Sequence, residues 1–435
     1  MRIDKRLLVA AGCLLPLWLI PVTLPADDFE RPPIRYSEST PHNKVSQLQT
    51  LLESGEQQLD YEESQGYLKS LLQALDVPVD SQMLVFSKSS VQARYISPAT
   101  PRAIYYNEDV YIGFCVSGNV LEISAVDPEL GTVFYSLDQK IAEQPRFTRH
   151  GETCLNCHSA AQMGGIPGHI VRSHITDEDG HVIPSAGIHQ VNYTTPLEQR
   201  WGGWYVTGTS GAQKHLGNFL VHGYNVPDKI DNTAGENVVS LADRFDVTRY
   251  LIPDSDIVAL MVLEHQTLVH NRLISANFAT RQALDLEAQL RQQTDLKTSQ
   301  HLPLTKQAIE RAGDALVDAL LLVGEAKLTD AIKGTSGFAD SFPQRGPRDS
   351  QGRSLRDLDL NHRLFRYPCS YLIYSDSFQQ LPSEIRDYVW QRLSDVLTAQ
   401  ETPPKFSHLS NEDRQNIVSI LRDTMPDLPA SFGGK

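Results

Sequence analysis

Between about residues 83 and 225 the chain is written in short apolar or alternating runs, among them AIYYNEDVYIGF, NVLEISAVD and TVFYSL, broken at Ser-Gly, Asp-Pro and Leu-Gly pairs. Runs of that length and period, punctuated by turn residues, predict antiparallel strands. On both sides the periodicity becomes helical. Upstream, Leu48, Leu51 and Leu52 recur at helical spacing, as do Tyr67, Leu68, Leu71, Leu72 and Leu75. Downstream of residue 254, Ile257, Leu260, Met261 and Leu268 line a long segment reaching towards 295, and further helices are expected near 306–326, 382–399 and 411–422. The polar stretch 328–362 is too long for a simple connection. Strands gathered in the middle and helices at both ends exclude a regular βαβ alternation, so the expected class is α+β. A central antiparallel β-rich region would carry N-terminal helices on one side and a larger C-terminal α-helical part on the other.

The 435 residues suffice for two or three folding units. Residues 1–26 have the layout of a secretory signal peptide: Arg2 to Arg6 is basic, Leu7 to Leu24 is mostly apolar, and Ala26 is small. Pro16, Pro21 and Pro25 argue against a membrane anchor, and Cys13 is a weak candidate for lipidation because the apolar run continues past it. The expected organisation is a signal at 1–26, an exposed polar leader at 27–42, an α+β domain at 43–253 and a mainly helical domain at 254–435. The export signal predicts a periplasmic or secreted location, with no membrane association beyond it. Hydrophobic residues at 40% and charged residues at 21% describe an ordinary globular chain.

Export matters for the cysteines, because an oxidising compartment leaves few thiols idle. Beyond the signal they are Cys115, Cys154, Cys157 and Cys369. Two of them sit in GETCLNCHS, and Cys154-Leu155-Asn156-Cys157-His158 is the spacing used for covalent c-type haem attachment. Two thiols three positions apart can each add to a vinyl group of one porphyrin, and the adjacent imidazole is then held under the iron. A zinc site would need further ligands, yet no second Cys-x-x-Cys or paired His cluster supplies them. A thioredoxin-like pair would need a βαβ setting.

Through Cys154, Cys157 and His158 the chain resembles the c-type cytochromes. The resemblance covers this motif and its near flank. It implies one covalent haem c, with the two cysteines as attachment points and His158 as an axial iron ligand. The rest departs from the small carriers of that family, which place an axial Met several tens of residues after the motif. Here no Met lies between Met163 and Met261. Met163 is too close to His158 to reach the far face of the iron.

The distal ligand therefore stays open, with Met261 and His265, on one face of the long helix, as the first candidates. His270 lies five residues from His265, roughly 140 degrees around a helix, so the two should not clamp one metal. His169, His174, His189, His215 and His222 are further candidates. Arg172, Arg146 and Arg149 are candidates for pairing with haem propionates, since a guanidinium meets a carboxylate through charge-assisted hydrogen bonds. Cys115 and Cys369 are expected to pair as a disulfide, with an axial thiolate from Cys115 as the alternative. Trp201-Gly202-Gly203-Trp204-Tyr205 is expected to pack between strands. No nucleophile elbow or zincin motif is present.

The formal net charge is -14, and removing Arg2, Lys5, Arg6 and Asp4 with the signal takes away two positive units, leaving -16. So acidic a chain repels nucleic acid and should dock a redox partner through that partner's basic face. Two functions fit: an exported monohaem cytochrome in electron transfer or haem redox chemistry, including a peroxidase- or oxidase-like oxidoreductase, or a haem-based gas or redox sensor. The second is prompted by a β texture that resembles the haem-binding PAS-like domains of bacterial sensors in pattern only.

Overall fold

The computed structural model describes residues 28–159, 164–187, 189–223, 226, 230–294, 300–398 and 403–432. The expected signal peptide, Cys13 and Met163 lie outside them.

The fold is α+β. The strands β1 (Met83–Val85), β2 (Arg102–Tyr106), β3 (Val110–Phe114), β4 (Val120–Asp127), β5 (Gly131–Asp138) and β6 (Phe147–His150) form one antiparallel sheet whose spatial order follows the chain. β2 to β5 are the runs read from the sequence. Their alternation sends Tyr105, Ile112, Ile123, Val133, Tyr135 and Leu137 to one face, into a core closed by α1 (Lys44–Ser54) and α2 (Leu68–Ala74) through Leu48, Leu52, Leu68 and Leu71. Asn43 caps α1, accepting from the amides of Val45 and Ser46, and its amide also meets the Tyr135 hydroxyl at 3.1 Å.

Residues 28–42 are not the exposed leader expected from their polarity. Phe29, Ile34 and Tyr36 are buried, and the Tyr36 hydroxyl donates to the Thr132 carbonyl at 2.8 Å. Three well-spaced apolar side chains suffice to pin a segment that composition reads as loose.

The other face of the sheet carries a transverse row, Tyr106, Tyr111, Ser124, Phe134 and His150, each directly opposite the next on neighbouring strands. Helix α4 (Ile257–Thr294) lies along this face, with the Tyr106 hydroxyl donating to the Ala259 carbonyl and Asn277 donating to the Pro128 carbonyl. The first half of α4 enters the core of the C-terminal helices, while Ile274 and Phe278 enter the core beneath the sheet. The boundary expected at residue 253 thus falls at the start of a helix that both halves share.

Beyond α4, α5 (Pro303–Leu320), α6 (Phe338–Ser341), α7 (Asp376–Gln379), α8 (Ser383–Thr398) and α9 (Asn411–Thr424) complete the helical part. Among the described residues none of the helices is long and apolar enough to cross a membrane. The expected β texture stops at residue 150. From there to 256 the described residues hold the α-helix α3 (Glu152–His158), a two-stranded ribbon, β7 (Arg172–Ser173) with β8 (His189–Gln190), and short 3-10 turns within irregular backbone. Side chains hold that backbone: Trp201 is fully buried, the Trp204 indole donates to the Arg172 carbonyl at 2.8 Å, and the Tyr205 hydroxyl donates to the Pro98 carbonyl.

Candidate functional site

β6 turns through Gly151 directly into α3, so the Cys154, Cys157 and His158 side chains rise from the edge of the sheet. Positions three and four apart are neighbours on a helix, which places both thiols and the imidazole on one side of α3. Leu155 is buried and anchors the other side. Cys154 is half-buried, Cys157 is exposed, and both are free thiols. Burial, reinforced by the Glu122 carboxylate and by Cys157, pushes the Cys154 thiol up to about 11.

His158 is held on three sides. Its ring packs against Phe134 of the transverse row with centroids 4.7 Å apart. Its Nδ1 lies 3.0 Å from the Gly168 carbonyl oxygen, and its own carbonyl accepts the Gly168 amide at 2.8 Å. A carbonyl can only accept, so Nδ1 carries the proton and Nε2 is left with its lone pair. Burial pushes the imidazole down to about 4, with the Gly168 contact opposing that and Arg172 and Arg102 adding to it. At neutral pH the ring is uncharged, the state in which imidazole binds metals.

Gly168 is itself fixed. The neighbouring Pro167 carbonyl accepts the Thr132 amide, and Asn271 of α4 clasps His169, accepting from its amide at 2.9 Å and donating to its carbonyl at 2.7 Å. A Cβ at Gly168 would stand 2.5 Å from the Asn271 Oδ1, so a side chain there would displace Asn271. Gly168, Phe134 and Asn271 were not singled out from the sequence; the tight GIPGH segment was the available signal.

The cations sort clearly. Arg149 donates to the carbonyls of Tyr36 and Ser39 and stacks over the Tyr36 ring, so it is spent on the N-terminal segment. Arg146 pairs at the surface with Glu53. The Arg172 guanidinium has no hydrogen-bond or ion-pair partner among the described residues, and it acts electrostatically on both His158 and His174. Arg102 pairs with Glu122 at 2.7 Å while its buried Nε stays unpartnered.

Of the distal candidates, Met261 and His265 sit in the helical core. His265 Nε2 meets the Ser370 hydroxyl at 2.8 Å, between Tyr193 and Phe365. His270 points the other way, to the Tyr111 hydroxyl at 3.0 Å. His169 touches Ser124, Thr132 and the Tyr111 ring. His215 accepts from the Gly217 amide beside Trp201, and His222 pairs with Glu178 at the surface. His174 and His189 are carried at the β7–β8 ribbon with Arg172, and neither imidazole has a partner among the described residues. Burial, followed by Arg172 and His189, pushes His174 down to about 4.

Cys115 and Cys369 are free, buried thiols in separate surroundings. Cys115 ends β3 near Arg102 and Glu122, whereas Cys369 lies in the helical core. The expected disulfide is not formed, and burial pushes both thiols up to about 12, which keeps them protonated and unreactive.

Among the described residues no three His, Cys, Asp or Glu side chains come together as a metal site. What α3 offers is two uncommitted thiols and one neutral imidazole with an open nitrogen, and Arg172 and Arg102 bring guanidinium groups with donors to spare. No family model, no curated protein and no solved structure matches this chain.

Proposed function

We propose that the chain is an exported c-type cytochrome carrying one haem, joined by thioethers to Cys154 and Cys157 and ligated by His158. The observation that carries the reading is the hydrogen bond from His158 Nδ1 to the Gly168 carbonyl. Metal-ligating histidines characteristically donate their second ring N–H to such an acceptor, which fixes the tautomer and raises the basicity of the ligating nitrogen. A histidine that served packing alone would have no need of one open nitrogen beside two open thiols.

The donor set fits the group. Each thioether forms as a sulfur–hydrogen bond adds across a vinyl C=C, the hydrogen ending on carbon, and a protonated, half-buried Cys154 and an exposed Cys157 are both free to do so. Arg172 and the open Nε of Arg102 are suited to hold propionates. When bound, the haem supplies one-electron redox chemistry or small-ligand binding at iron. The chain's part is to orient the imidazole through Gly168, to shield its inner side with Phe134, and to neutralise the propionates. With Met261 and His265 committed to the helical core, His174 and His189 take their place as the described distal candidates. The partner of so acidic a chain would be a redox protein with a basic face.

Expression with cytochrome maturation machinery, followed by optical spectra of the reduced protein with and without carbon monoxide, tests the reading. A haem c spectrum unmoved by the gas marks a six-coordinate electron carrier, and a shifted one marks ligand chemistry, whether catalysis or sensing. Colourless protein rejects the proposal.

A further inference from the structure

A directed chain of buried hydrogen bonds meets the transverse row at Tyr111. The Tyr371 hydroxyl donates to Gln266 Oε1. Gln266 Nε2 donates to the Asn107 carbonyl, which fixes the orientation of the amide, and to the Tyr111 hydroxyl at 2.7 Å. With Gln266 donating to it, Tyr111 turns its own proton to His270 Nδ1, 3.0 Å away. That leaves the His270 proton on Nε2, where it is buried without a partner. A buried donor left open is rare enough to call for a reason.

The Tyr111 ring packs on the His169 ring with centroids 4.1 Å apart, and His169 follows Gly168, whose carbonyl holds His158. Phe134, against which His158 packs, lies two strands from Tyr111 in the same row, about 10 Å at the usual strand spacing. The far end of the chain, Tyr371, lines a cavity of about 530 Å³ and lies under the Arg356 guanidinium, 4.3 Å from its ring centroid.

We propose that Tyr111 is a redox-active tyrosine that exchanges an electron with a haem held at His158, with His270 as acceptor of its phenolic proton. The inference rests on the haem reading above. The oxidant is a hydroperoxide acting at the haem. Hydrogen peroxide takes up two electrons and two solvent protons and leaves as two molecules of water; Tyr111 supplies one of those electrons, and the external donor that later restores the phenol supplies the other. As it does so its O–H bond breaks, the proton moves to His270 Nδ1, and a neutral tyrosyl radical remains beside an imidazolium. An external one-electron donor restores the phenol and the proton returns. Desolvation holds the Tyr111 phenol far above its ordinary range and drives His270 down to about 3, so both start neutral and the proton must travel with the electron.

The test is electron paramagnetic resonance of the haem-loaded protein, freeze-quenched after hydrogen peroxide. The expected result is a radical that narrows with ring-deuterated tyrosine, disappears in Tyr111→Phe and persists in Tyr371→Phe. Double resonance on the wild-type protein reads the same point without relying on a variant that folds. Tyr111 is the described tyrosine whose hydroxyl meets a histidine, so the radical should couple to two exchangeable protons, one on His270 and one on Gln266 Nε2, and the His270 coupling should vanish in His270→Phe. A radical unchanged by Tyr111→Phe, a radical without that coupling, or a porphyrin-bearing protein that yields no tyrosyl signal overturns the proposal. Protein with no covalent porphyrin by mass rejects the haem reading and this inference with it, an outcome distinct from the other three.

Discussion

Replacing Gly168 by alanine probes the element on which the site depends. The new Cβ would meet Asn271 Oδ1 at 2.5 Å, closer than such contacts are found, and Cγ at a tight 3.1 Å, so the buried Asn271 side chain would have to shift. Asn271 holds both the amide and the carbonyl of His169, so displacing it costs two hydrogen bonds, each about 0.5–1.5 kcal/mol. Gly168→Ala should therefore lose roughly 1–3 kcal/mol of stability by urea unfolding. It should also move the Gly168 carbonyl off His158 and raise the reduction potential of the haem-loaded protein, because a less basic imidazole donates less to iron. Since the three nearest atoms to the added Cβ all belong to the Asn271 side chain, Asn271→Ala removes the clash. The double variant should then be less destabilised than the sum of the singles, by on the order of 1 kcal/mol, as expected of residues in contact. Strictly additive losses, or a Gly168→Ala protein with unchanged stability and potential, would refute the reasoning.

The other predictions follow from buried charge. His158, His174 and His215 are pushed down to about 4, and His265 and His270 to about 3, all by burial. Each folded value lies below the unfolded value of about 6.5, so the stability they contribute is present above that pH and is lost as pH falls through 6.5 towards 4; urea midpoints for the haem-free chain should drop steeply between pH 7 and 5, and a flat profile would contradict this. Glu325, raised by burial to about 7, has the opposite sign: its contribution is lost as pH rises between the unfolded carboxylate value and 7. Glu325→Gln, which can still accept from the Leu364 amide, should gain on the wild type across that interval in the same assay, and no relative gain would count against a buried neutral Glu325. The Arg200–Glu264 pair, 2.8 Å apart and buried, should cost about 3–5 kcal/mol when Arg200→Met strands the carboxylate and much less when Glu264→Leu accompanies it; equal losses from the single and double variants would disprove that account.

How far the residues alone announce this molecule depends on how local the governing physics is. Strands β2 to β5 and the helices α4, α5, α8 and α9 were legible because the length and spacing of their apolar runs are local features of the sequence. The Cys-x-x-Cys-His spacing in α3 was legible because the chemistry proposed for it depends on residues close together in the sequence. What escaped were long-range contacts with no periodicity. Tyr36 reaches Thr132 across the sheet, Gly168 folds back onto His158, and Asn271 clasps His169 from another element. The stretch from 151 to 225 falls inside the β region expected from short apolar runs and turn residues, yet its aromatic side chains pin irregular backbone. The expected Cys115–Cys369 bridge rested on counting leftover thiols, and counting carries no geometry; both are buried free thiols in different surroundings.

The central claim is that Cys154 and Cys157 are joined to a porphyrin ligated by His158. It is tested most directly by the intact mass of the mature chain, unfolded in acid, after expression alongside a working cytochrome maturation system. The account predicts the mass of the polypeptide plus one haem, with the haem released when both cysteines are changed to serine. A chain of bare polypeptide mass would contradict it.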